Sequence, residues 1–214
     1  NGTLYVRGQP LDYDTWAQLG NRGWSYESVL PYFKDGETFT RGDGAVRGVD
    51  GPLHVTDLPL PHELPDAFVD AGVASGYPQN PDYNSGDQEG FGYYQTTILN
   101  GRRWSAADAY LKPALKRPNL RVETRAHATR ILLEGRRAVG VAYDVGGEAR
   151  EARATGEVIA AAGAVQSPQL LELSGIGRPA ILKAHGIDVQ HALDGVGENY
   201  RDHFGTRMNW RVKL

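Results

Sequence analysis

One stretch constrains the fold of this 214-residue chain more than any other: Val158-Ile-Ala-Ala-Ala-Gly-Ala-Val-Gln-Ser-Pro168. The apolar run is too short for a membrane span and predicts a buried strand over residues 158–162. Gly163 then supplies a turn, and Ser167-Pro168 reads as an N-cap followed by proline at the first helical position, with Gly175 and Gly177 as stops. Strand, glycine and helix in this order form the α/β arrangement in which a ligand sits at the carboxyl end of a strand. The amides of such a helix start suit a phosphate or pyrophosphate. A plain strand-to-helix connection has the same pattern, so both readings stand at this point.

The segment before it alternates. Residues 120–124, 128–133, 138–145 and 148–154 predict strands, with turns at Glu134-Gly135 and Gly146-Gly147. Val139, Val141, Tyr143 and Val145 fall on one face by the period of two. This is a β-meander. Further upstream, residues 12–20 and 25–34 predict helices, the second capped by Ser25 and kinked or restarted at Pro31. Gly36, Gly42, Gly44, Gly48 and Gly51 mark a flexible or strongly turned stretch. A strand at 53–57, a helix at 65–75 and a long loop at 76–92 follow, then a strand-like stretch at 93–99. Asn100-Gly101 is a turn signal, and Ser105 to Asp108 has capping-box spacing for a helix that must end near Pro113. Pro179 and Gly186 bracket another helix, and Ile187-Asp-Val starts another strand.

Composition narrows the chemistry. A net charge of −3 gives no basic footprint, so nucleic acid is not the expected partner. With Cys 0, there is no disulfide framework, thiolate metal site or cysteine nucleophile. No signal peptide or transmembrane segment is expected, and the expected location is cytoplasmic. Residue 1 is Asn and the one Met is Met208, so the chain reads as an internal piece of something longer. His54, His62, His127, His185, His191 and His203 show no helical metal-ligand spacing, so no metal is expected. His203, after Asp202, is the best placed of them, with structural hydrogen bonding ahead of catalysis. Arg102 and Arg103 beside Trp104 would hold an anion or pin a loop, and the aromatics at 24–33 and 91–94 would line a pocket or pack a core. No dinucleotide glycine fingerprint, P-loop or nucleophile elbow occurs.

Two stretches carry a resemblance. Asn1-Gly-Thr-Leu-Tyr-Val-Arg-Gly-Gln-Pro-Leu-Asp-Tyr-Asp-Thr-Trp resembles the second half of the first signature of the GMC (glucose–methanol–choline) flavoprotein oxidoreductases. Gly163-Ala-Val-Gln-Ser-Pro-Gln-Leu-Leu-Glu-Leu-Ser-Gly-Ile-Gly177 is similar to the second signature throughout its length. Gly23-Trp-Ser-Tyr, Leu30-Pro-Tyr-Phe, Gly51-Pro-Leu, Arg103-Trp-Ser, Ala109-Tyr-Leu and Arg117-Pro-Asn-Leu resemble family landmarks in order. Gly195-Val-Gly-Glu-Asn-Tyr-Arg-Asp-His closes the series and resembles the choline-dehydrogenase-like branch.

The resemblance implies a mixed α/β fold: part of a Rossmann-like FAD domain with a β-meander, plus part of an antiparallel-sheet substrate domain. It implies an FAD-domain and lid segment at 1–52, a substrate-domain segment at 53–118, the meander, strand and signature helix of the FAD domain at 119–190, and a return to the substrate domain from 191–214. By resemblance, Asn1, Gly2 and Leu4 approach the flavin and its pyrophosphate, the Ala128 backbone meets the adenine, and Ala162 and Gly163 lie near the cofactor. The implied reaction is oxidation of a small-molecule alcohol by hydride transfer to FAD, with an electron acceptor these residues do not identify. The family's catalytic histidine matches no position here, so no catalytic residue is assigned. A fatty-acid photodecarboxylase of the same fold, or a non-catalytic binding module, are the alternative readings.

Overall fold

Where local signals agree, the elements form as written. The computed structural model describes residues 2–58, 62–202, 205 and 211. It divides into two compact units, Asn1–Arg121 and Val122–Leu214.

In the first unit, helix α1 (Pro10–Gln18) starts with proline, and the Gln9 N–H donates to Asp12 Oδ2 at 2.7 Å. Helix α2 (Tyr26–Gly36) is capped by Ser25, whose Oγ accepts from the Ser28 N–H at 3.3 Å. The helix passes through Pro31 instead of restarting there. The carbonyl that loses its donor belongs to Glu27, in the exposed first turn, where solvent replaces it. Strand β1 (Glu37–Phe39) follows without a loop and pairs in parallel with β2 (Leu53–Asp57). Helix α3 (Glu63–Ala74) packs Gly72 against the Phe91 ring so closely that a Cβ there would lie 2.5 Å from it. Strand β3 (Gln95–Thr96) completes the sheet in order β1-β2-β3, antiparallel to β2. A hairpin of β4 (Ile98–Leu99) and β5 (Arg102–Arg103) turns on Asn100 and Gly101, both at positive φ. Ser105 and Asp108 exchange hydrogen bonds as their spacing predicted, opening a π-helical turn (Ala107–Leu111) that leads into α4 (Lys112–Ala114).

The glycine-rich stretch is turned, not loose. A Cβ on Gly48 would fall 2.1 Å from the Lys34 carbonyl oxygen, and one on Gly51 would fall 2.3 Å from the Glu37 nitrogen. That close approach brings Arg47 inward. Beside buried Phe39 and Val55, this unit carries a buried polar cluster: Glu37 and Gln95 are 0% exposed, Arg47 3% and Arg7 4%. The Glu37 carboxylate accepts from Arg47 Nε at 2.8 Å and Nη2 at 3.2 Å, from the Gly48 N–H at 3.0 Å, and from Arg7 Nη2. Arg47 Nη1 donates to Asp82 Oδ1 at 2.5 Å and to Gln95 Oε1 at 2.9 Å. Two carboxylates face two guanidiniums, so the cluster is neutral.

In the second unit, β6 (Ala126–Glu134), β7 (Arg137–Val145) and β8 (Glu148–Arg153) form the expected meander, β6-β7-β8. Gly135 and Gly146 sit at its turns with φ of 60° and 64°. Helix α5 (Gly163–Leu173) joins β6 through Ser174, whose Oγ accepts from the Ile131 N–H at 2.8 Å. Then come β9 (Ile176–Gly177), α6 (Pro179–Ala184) and β10 (His191–Ala192), which lies parallel to β9.

Four expectations fail here. Residues 158–162 and 120–124 are not strands, and Ile159 is 79% exposed. A strand needs a neighbour to take up its backbone N–H and C=O groups, and among the described residues neither segment pairs with one. The signature helix begins at Gly163 rather than at Pro168. The Ser167 hydroxyl caps from inside, accepting from the Ala162 N–H at 2.9 Å, so Pro168 is tolerated one turn into the helix. Ile187-Asp-Val is also outside any strand, because pairing starts only at His191. No described helix is long and apolar enough to cross a membrane.

Removing the Glu37 charge leaves two buried guanidiniums short of a counter-ion. Glu37→Gln should destabilise the protein by about 3 kcal/mol, whereas Glu148→Gln, which breaks an exposed pair with Arg150, should change it by less than about 0.5 kcal/mol. Urea unfolding of the two variants checks both numbers.

Candidate functional site

Residues 4–8 run as an extended segment with two faces. Leu4 and Val6 are exposed, while Arg7 is buried in the ion cluster and Tyr5 lies beside it. The backbone is fixed on both sides. The Tyr5 N–H donates to the Gln95 carbonyl at 2.9 Å, and the Thr97 N–H donates to the Thr3 carbonyl at 2.9 Å. The Tyr5 carbonyl accepts from the Tyr83 hydroxyl at 2.8 Å and Asn84 Nδ2 at 3.1 Å. Asn84 Oδ1 accepts from the Arg7 N–H at 2.7 Å, and Gln88 Nε2 donates to the Arg7 carbonyl at 2.6 Å. The long loop at 76–92 is therefore a clamp on this segment. Gly2 and Leu4 are both on its open side. Asn1 lies outside the described residues.

Tyr5 is the one residue in the clamp with a large electrostatic response. Burial pushes its phenol up to about 12, with the nearby Glu37 carboxylate adding to the rise and the Arg7 guanidinium opposing it.

In the second unit, Ala162 is the N-cap of α5, and Gly163 has a φ of 91° with open space where a Cβ would be. Residues 161–166 are exposed, and the first turn of α5 contains no acidic residue. Its leading amides have no intrahelical acceptor, so they form an uncontested set of anion donors. Ala128 lies on β6 opposite Tyr143, beside a register shift between Ala128 and Arg130. The structure thus groups Gly2 with Leu4, and Ala162 with Gly163, and sets Ala128 on the strand that α5 packs against.

The other candidates have structural employment. His62 Nδ1 accepts from the Leu64 N–H at 3.2 Å and caps α3. His54 meets the edge of Trp104, with ring centroids 5.6 Å apart, and Trp104 Nε1 donates to the Pro52 carbonyl at 2.8 Å. His185 is the C-cap of α6, and His191 is exposed on β10. His203 lies outside the described residues. Arg102 and Arg103 are exposed on the hairpin. The aromatics at 24–33 pack around Tyr13 with Phe33 and Tyr26, and Trp24 meets Trp16. No group of metal-ligating side chains occurs among the described residues. The buried cluster of Arg7, Glu37, Arg47, Asn84 and Gln95 was not picked out from sequence. Its members are far apart in the chain and polar, so periodicity gives no sign of them.

Residues 1–205 match the family model described as GMC oxidoreductase. The oxygen-dependent choline dehydrogenase of Brucella ovis is 52% identical over 203 residues, covering 95% of this chain and 37% of that protein. The enzyme of the same name from Sinorhizobium fredii is 51% identical with the same coverage. The chain therefore spans little more than a third of the length of these curated relatives. Pyridoxine 4-oxidase from Mesorbium loti is similar in structure with a TM-score of 0.84 and 33% identity, over 91% of this chain and 38% of that one. An FAD-dependent oxidoreductase from Chaetomium thermophilum gives 0.86 and 32%, over 91% and 36%.

Because Tyr5 stays protonated in the folded protein where an unfolded tyrosine ionises, its contribution to stability is complete below pH 10 and is lost as pH rises towards 12. Unfolding free energy should fall across that window, and Tyr5→Phe should flatten the fall. Urea titrations at several pH values, with tyrosine ionisation followed by ultraviolet absorbance, provide the check.

Proposed function

Since this chain belongs to the GMC oxidoreductase family, we propose that it is part of an FAD-dependent enzyme that oxidises a small alcohol to an aldehyde or ketone. The observation that carries this is the second signature, intact from Gly163 to Gly177, placed on a helix start whose amides are exposed. The choline dehydrogenases among the relatives favour choline or a similar amino alcohol as substrate. We place the enzyme in the cytoplasm. Residues 1–52 and 119–190 are assigned to the FAD domain, and 53–118 and 191–214 to the substrate domain.

The residues present fit the cofactor. A left-handed glycine with free space beside it, leading amides with no intrahelical acceptor and no carboxylate in the first turn together suit a pyrophosphate. When bound, FAD supplies the hydride acceptor. Ala162 and Gly163 would let the cofactor approach the main chain, and the Ala128 backbone would meet the adenine. Gly2 and Leu4 would line the isoalloxazine and help keep water from it; Asn1 keeps this role by resemblance alone. No proton-transfer role falls to a described residue.

The longer flavoprotein containing this sequence should show the visible absorbance of oxidised flavin, and anaerobic choline should bleach it. A purified protein free of flavin, or one that stays yellow with every alcohol offered, would sink the reading. The 214 residues alone should bind FAD at least about tenfold more weakly than that protein, because they supply only part of the cofactor's contacts. Calorimetric titration of both proteins with FAD makes the comparison.

A further inference from the structure

Between Gly2 and Leu4 stands a residue in a conformation it does not favour. Thr3 has a φ of 65°, in the left-handed region, where a β-branched side chain is a genuine outlier. The other non-glycine residues at positive φ among those described are Asn100, Arg125 and Asn199. Two of these are asparagine, which tolerates the conformation, and none is branched at Cβ.

Such strain persists only where the surroundings over-determine it. They do so here. The Thr3 carbonyl accepts from both the N–H and the hydroxyl of Thr97, at 2.9 and 3.3 Å. Leu4 bridges to Thr96, and Tyr5 is held on the next rung. On the other side, the Thr3 hydroxyl donates to the Gly2 carbonyl, a local bond that helps hold the bend. The chain is thus in register with β3 up to Thr3 and turns out of it there. An extended Thr3 would continue the strand and carry Gly2 along the sheet edge.

We propose that Thr3 is a positioning residue whose left-handed elbow fixes the direction in which Gly2 leaves the sheet, and so the face that Gly2 and Leu4 present to the flavin. The inference rests on the flavin reading above. Its physical basis is pre-organisation: the binding face is set before the cofactor arrives, so less is lost in ordering it on binding.

The test uses the full-length flavoprotein with Thr3→Val and Thr3→Asn. Valine keeps the branch and loses the hydroxyl, so the left-handed state becomes harder to hold. Thr3→Val should weaken FAD binding by about tenfold, the order expected when the hydroxyl bond that helps hold the bend is lost. It should also shift the spectrum and reduction potential of the flavin that remains. The melting temperature of the apoprotein should stay close to that of the parent, since the segment end is exposed. Asparagine accepts the conformation, so Thr3→Asn should restore parental FAD affinity and spectrum. Should Thr3→Val fail to fold, Thr3→Ile, which also keeps the branch and lacks the hydroxyl, takes its place with the same expected loss. Parental FAD affinity and spectrum in the Val or Ile variant would overturn the inference, as would an equal loss in Thr3→Asn. A parent protein that binds no FAD overturns the flavin reading and this inference together.

Discussion

A carboxylate with no exposed surface, held between two guanidiniums, is the interaction on which the first unit depends. Glu37 opens β1, Arg7 comes from the N-terminal segment, Arg47 from the glycine-rich turn, and Asp82 and Gln95 carry the cluster on to the long loop and β3. Buried ion pairs seldom raise stability above that of a well-packed apolar core. Their use here is different. The stretches at 36–51 and 76–92 offer few apolar side chains with which to find a unique place. Hydrogen bonds of fixed geometry to one buried charge give each of them a single position.

That arrangement also explains how an exposed segment is held still. The outer face of residues 4–8 must stay open if it is to meet a ligand, so apolar packing on that face is ruled out. The inner face and the backbone take the whole task, through Arg7, Asn84, Gln88 and the Tyr83 hydroxyl. A site built in this way is firm on one side and bare on the other.

The sequence was legible where local chemistry alone decides the outcome. The meander follows from alternation and glycine turns, α2 from Ser25, and the helical start after Ser105 from its spacing to Asp108, though not its π-helical form. It was misleading at residues 158–162 and 120–124. The first is an apolar run of the kind buried on both faces and the second alternates like a half-buried strand, but a strand is a property of pairs, and no described neighbour pairs with them. The start of α5 was misplaced because Ser167 looks like a cap read forwards and acts as one read backwards. The cofactor positions follow from the family resemblance, not from spacing, and the clamp around residues 5–7 is invisible in sequence because its members are scattered polar residues. Thr3 gave no warning, since conformation at one residue is imposed from outside it.

The meander has one more property, set by its two margins. On β8 the residues Glu148, Arg150, Glu151 and Arg153 are exposed and form ion pairs along the strand, with Arg153 also reaching Glu134 at the end of β6. A stranger adding to this margin would have to desolvate those charges. On β6 the Ile131 N–H, which would otherwise invite a partner, is already taken by the Ser174 hydroxyl. One margin is guarded by charge and the other by a single side-chain oxygen, and a sheet guarded in this way resists growing into an aggregate.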